Sequence, residues 1–139
     1  MTYNPYNKYA SQSVMTMTHG EMLTKLYEAT ILNMNLAIKG ISEKDVPATN
    51  LALQKAQKIL NYLTATLDRQ YPISNNLAAL YDFFNHQLIA ANVKKDASLI
   101  QEIVPMVEEL RDAFVQGDKL SRIESSVPSA GSAHFAVSG

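Results

Sequence analysis

The chain has 139 residues, 47% of them hydrophobic, with five glycines and five prolines: enough for one core, and too few turn residues for an all-β fold. Twelve basic and thirteen acidic side chains leave a net charge of −1, which gives no electrostatic footprint for a phosphate backbone. With no cysteine, a disulfide framework, a zinc–thiolate site and a thiol nucleophile are all excluded, and a reducing compartment is the simplest setting.

Residues 1–17 are polar, with Tyr3, Tyr6, Tyr9 and Val14 as spaced apolar positions. They lack the basic start and apolar run of a secretion signal. No apolar run in the chain approaches the ~20 residues of a membrane span, so a cytoplasmic protein without membrane insertion is expected.

The first helical segment opens at Thr18, with Glu21 three residues later in capping-box spacing. Leu23, Leu26, Tyr27, Ile31, Met34, Ala37, Ile38 and Ile41 then mark one face of a 3.6-residue helix. The second begins near Asp45, with Pro47 in its first turn, where a missing N–H costs nothing. Leu53, Ala56, Leu60, Leu63 and Leu67 follow at spacings of three and four, and Asp68 to Pro72 breaks the pattern.

The third segment starts at Ser74 or Asn75, carries Leu77, Leu80, Tyr81, Phe84, Leu88 and Ala91 on one face, and closes between Asn92 and Lys95. The two lysines there suit the negative end of the helix dipole. Asp96 caps the fourth, which places Leu99, Ile100, Ile103, Val104, Val107, Leu110 and Phe114 on one side, with Gly117 as its C′ residue. Pro105 falls inside that pattern and predicts a kink or the end of the helix's first half. Short connections make sequential helices antiparallel neighbours. The expected fold is all-α: an antiparallel four-helix bundle over residues 18–117, a short N-terminal segment (1–17) packing on it, and a disordered Ser/Ala/Gly-rich tail (118–139).

Catalytic chemistry finds no foothold. A bundle di-metal site needs Glu-x-x-His pairs, and none of His19, His86 or His134 has a glutamate three residues before it, so no metal or cofactor is expected. Glycine-rich phosphate loops and the Gly-x-Ser-x-Gly elbow are missing. Glu108, Glu109 and Asp112 read as solvated carboxylates, and Lys94–Lys95 is the only basic pair. Neither an enzyme nor a nucleic-acid binder is indicated.

The aromatics say more. Tyr81, Phe84 and Phe114 read as bundle core, whereas Tyr62 and Phe83 lie off the main seams, and Leu51 and Ile59 sit beside the second helix's stripe. An apolar face wider than a core requires suggests a groove for an additional helix or peptide. The N-terminal tyrosines fit two readings, a cover for such a groove or simple disorder.

An ordered series of motifs resembles the flagellar export chaperone family FliS. It runs through Thr18-x-x-Glu21-Met22-Leu23, Leu26-Tyr27-Glu28-Ala29, Lys55-Ala56-Gln57-Lys58-Ile59-Leu60 and Leu67-Asp68. It continues with Asn76-Leu77-x-x-Leu80-Tyr81-Asp82-Phe83, Leu88-Ile89-x-Ala91-Asn92 and Leu110-Arg111-Asp112-Ala113-Phe114, and Tyr6-x-x-Tyr9 is similar to the family's N-terminal region. The resemblance implies a cytoplasmic chaperone that binds the disordered C-terminal region of flagellin, prevents early polymerisation, and aids delivery to the export gate protein FlhA. It also implies a client that orders in apolar grooves and an N-terminal segment that gives way to it. On that basis the expected groove residues are Leu60, Leu63, Leu67, Leu77, Leu80, Tyr81 and Phe84, several of which must be core because periodicity cannot separate the two faces of a doubly packed helix, with Leu77 exposed and Tyr6 and Tyr9 as the displaceable cover.

The chain departs from the family pattern at His19, where a proline is frequent, and at Arg69 to Ile73, which lacks a frequent Gly-Gly. At Pro105 relatives often have glycine. The competing expectation is a non-enzymatic helical module that self-associates, as a weak homodimer, or binds another helix through the same apolar surface.

Overall fold

The computed structural model describes residues 18–126, with side chains described through residue 117. Its helices are α1 (His19–Ser42), α2 (Val46–Ala65), α3 (Ile73–Lys94) and α4 (Ser98–Ser126). The predicted start signals operate as hydrogen bonds. The Thr18 hydroxyl accepts from the Glu21 N–H at 3.1 Å, and the Asp45 carboxylate accepts from the Ala48 N–H at 3.1 Å. Asp96 accepts from the Ser98 N–H at 2.9 Å and from its hydroxyl at 2.6 Å, and those two bonds hold its carboxyl below the ordinary value. Helix α3 starts at Ile73 without a side-chain cap.

The turns that close α1 and α3 use lysine where glycine is the common choice: Lys44 and Lys95 have φ of 57° and 51°, in the left-handed region. At the second of these turns the Asp96 N–H reaches back to the Ala91 carbonyl at 3.0 Å.

Helix α1 packs against α2 and α4, and α3 packs against the same two, so the helices form a ring in chain order with every neighbour antiparallel. Leu23, Tyr27 and Met34 of α1 meet Leu53, Leu60 and Leu63 of α2, Leu77, Tyr81, Phe84 and Leu88 of α3, and Ile100, Ile103, Val107 and Phe114 of α4 in one buried cluster. Across its centre the Tyr27 and Tyr81 hydroxyls hydrogen-bond at 2.5 Å, and the Phe114 ring lies 5.4 Å from that of Tyr27. At the α1–α2 corner a Cβ on Gly40 would sit 2.5 Å from Thr49 Oγ1 and 3.0 Å from its backbone nitrogen, so only glycine admits this approach.

Of the two alternatives at Pro105, a kink or the end of the helix's first half, the second is ruled out, because α4 runs through it unbroken. The ring is exposed, and so is Gln101, whose carbonyl loses its usual donor, so water can take that donor's place. Nor does Gly117 stop α4: no described glycine has positive φ, the turn a C′ glycine would supply is not made, and the helix continues to Ser126, past the expected start of the tail at residue 118. Residues 1–17 and 127–139 lie outside the described residues. No described helix is long and apolar enough to cross a membrane.

Candidate docking groove

Helices side by side bury the stripes that face each other and leave a furrow on the outside. On α2 the buried stripe is Leu53, Ala56, Leu60 and Leu63. At about 100° per residue, Lys55, Ile59 and Tyr62 form a second stripe turned toward solvent and α1. On α1, Leu26 and Asn33, seven residues apart, share the side that faces α2. Together with Lys58 these residues line an open groove of about 440 Å³ between the two helices.

Its floor is apolar. Leu26 and Ile59 are half-buried against the core, and the Tyr62 ring is 50% exposed along one wall. Asn33 donates its amide to the Ala29 carbonyl at 2.8 Å, which ties that donor back along its own helix. The remaining polar groups of the lining are the Lys55 and Lys58 ammonium groups, the Tyr62 hydroxyl and the Asn33 side-chain oxygen. Exposed Leu51, one turn before Lys55, and exposed Leu36, one turn beyond Asn33, extend the apolar surface along both helices.

The expected groove residues divide. Leu60, Leu63, Leu77, Tyr81 and Phe84 are each no more than 3% exposed and form the centre of the bundle. The α2–α3 seam that carries them is the protein interior, so the expectation of Leu77 at an exposed position is corrected. Only Leu67 and Leu80 keep partial exposure. Outside that seam the α2–α3 contact is polar: Asn85 donates to Asn61 at 3.1 Å, and the Lys95 ammonium donates to Asn50 at 3.3 Å. Tyr6 and Tyr9 lie outside the described residues.

Leu26, Asn33, Lys55 and Lys58 are the lining residues that sequence reasoning missed. The signal was present in part, since Leu51, Ile59 and Tyr62 already stood off the main stripe. What periodicity lacked was the neighbour across the furrow.

Nothing described here resembles a catalytic constellation. Burial pushes the Tyr27 and Tyr81 phenols up, so both stay neutral inside the core. His86 is exposed, with Nδ1 2.8 Å from the Asp82 carbonyl oxygen. Among the described residues no group of three His, Cys, Asp or Glu side chains is placed to hold a metal ion.

Comparison with known proteins gives one consistent result. The family model described as "FliS: Flagellar protein FliS" matches residues 2–120. The flagellar secretion chaperone FliS of Bacillus subtilis (strain 168) is 35% identical over 119 residues, covering 86% of this chain and 90% of the relative. Its counterpart from Salmonella typhimurium is 30% identical over 107 residues, covering 75% and 79%. The Escherichia coli (strain K12) protein is 25% identical over 105 residues, covering 73% and 77%.

Proposed function

The chain belongs to the FliS family of flagellar proteins, and from that premise we propose that it is a non-enzymatic flagellar export chaperone whose α1–α2 groove receives the C-terminal region of flagellin. The observation that carries this reading is an exposed apolar furrow with no catalytic group beside it, on a chain similar to proteins named flagellar secretion chaperones. A client segment that is helical only when packed gains in such a furrow the apolar surface it lacks alone, and it orders as it binds. Holding that segment covered in the cytoplasm keeps it from the contacts of filament assembly until the loaded complex meets the export gate protein FlhA.

In this reading Tyr6 and Tyr9 cover the groove until the client displaces them. Leu67 and Leu80, though partly exposed, do not line this groove. Leu60, Leu63, Leu77, Tyr81 and Phe84 hold the helices that shape it from behind.

Calorimetric titration of the full chain with a flagellin C-terminal fragment tests the proposal. Ile59→Glu and Tyr62→Glu place a charge on the floor and wall of the groove, and each is expected to weaken binding at least tenfold while helical content stays unchanged. Leu77→Glu, by contrast, puts an unpaired carboxylate in the core and is expected to unfold the bundle. Undiminished binding by folded Ile59→Glu and Tyr62→Glu proteins would remove this groove from the client site. Self-association is the second reading, favoured by exposed Leu32, Leu36 and Leu51. It predicts a concentration-dependent mass by light scattering that the client fragment does not dissolve.

A further inference from the structure

The charge around the groove is one-sided. Lys55 and Lys58, three residues apart, project on the same side of α2, and α2 carries no acidic residue between Val46 and Ala65. No carboxylate lines the groove, and neither lysine takes part in the ion pairs of His86 with Asp82 and Arg111 with Asp112. The chain's own ends cannot neutralise them with a side chain, because residues 1–17 and 127–139 contain no Asp or Glu. The acidic side chains of α4 (Glu102, Glu108, Glu109 and Asp112) belong to a helix whose apolar face is already buried in the core. A second copy carries its exposed leucines, Leu32 and Leu36, on α1, where Glu28 is the one carboxylate a turn away, and so does not offer the pair of spaced carboxylates that Lys55 and Lys58 would take.

From this we propose that the groove selects an acidic amphipathic helix: an apolar stripe seated over Leu26, Ile59 and Tyr62, flanked by two carboxylates three or four residues apart that pair with Lys55 and Lys58. The inference rests on the α1–α2 groove being the client site and adds the chemistry by which a segment is chosen. An uncharged helix offers the groove apolar contact alone, whereas an acidic one offers the same contact and two ion pairs. Exposed pairs contribute about 0.2–1 kcal/mol each, so two of them favour the acidic segment by roughly 2- to 30-fold. That is enough to decide between occupants of similar apolar area.

The test titrates the full chain with synthetic amphipathic peptides of about five helical turns, roughly 18 residues, that share one leucine stripe. Their flanks carry Glu, Gln or Lys. The expected order of affinity is Glu over Gln over Lys, with about a tenfold spread that narrows as salt is raised. Lys55→Glu with Lys58→Glu is expected to invert the order, and Lys55→Gln with Lys58→Gln to level it, each with wild-type circular dichroism. Equal affinity for the Glu and Lys peptides, or an order unchanged in folded double variants, overturns the inference. So does a dimer of the free chain that Lys55→Glu with Lys58→Glu disperses, since the occupant is then a second copy. Running the flagellin fragment alongside separates the two levels. Fragment binding with a flat peptide series defeats the charge selection alone, while Glu-selective peptides without fragment binding defeat the flagellin reading alone.

Discussion

At the residue scale, the most informative contact is the hydrogen bond between Tyr27 and Tyr81, which joins α1 to α3 across the bundle centre. Both rings are at most 1% exposed, so a phenol that loses its partner has no water to replace it. Tyr27→Phe or Tyr81→Phe alone leaves one buried hydroxyl unsatisfied and is expected to cost about 1–3 kcal/mol in urea denaturation. The double Phe variant should cost clearly less than the sum of the two, because no orphan remains. Additive losses would show that the pair is not coupled. Burial raises both phenols, so the folded state resists ionisation while the unfolded chain ionises near the ordinary value of about 10. The stability tied to that difference is full below pH ~10 and falls as pH rises above it, and the double Phe variant should flatten that decline. Both tyrosines were legible as apolar positions, but nothing in the periodicity says that two hydroxyls fifty-four residues apart in sequence meet.

At the element scale, the helices announced themselves through their beginnings more than through their ends. Thr18 and Asp45 each cap as side-chain chemistry dictates, and Asp96, one residue outside the first acceptor Ala97, holds the Ser98 N–H in the turn that leads into α4. The ends were legible in part: α3 closes at Lys94 inside the expected window, but Lys44 and Lys95 take left-handed turns where a glycine is the usual signal, and Gly117 does not stop α4. Pro105 shows the same limit: the ring removes one hydrogen bond, but at an exposed position packing of Ile103 and Val107 on either side keeps the helix whole. Pro105→Ala should therefore restore that bond and raise stability, by about 1–3 kcal/mol in thermal or urea unfolding. An unchanged or lowered stability would mean that α4 depends on the shape proline gives it.

At the scale of the whole molecule, the sequence disclosed a four-helix bundle but not which of its surfaces is free. Leu60 and Ile59 are neighbours in sequence and nearly equal in hydrophobicity, yet one is the core and the other the groove floor. Only the position of α1 beside α2 separates them. The expected groove therefore fell on the strongest stripe, which the bundle consumes, while the weaker stripe beside it stays open. Charge follows the same division, with unopposed lysines on α2 and carboxylates on α4. The central claim is that the α1–α2 face, and not the α4 face, receives the flagellin C-terminal region. Nuclear magnetic resonance shift mapping of the labelled full chain during titration with that fragment tests it most directly. The account predicts the largest shifts at Leu26, Asn33, Ile59 and Tyr62, with Glu108, Glu109 and Asp112 nearly still; large shifts confined to α4, with Ile59 and Tyr62 unmoved, would contradict it.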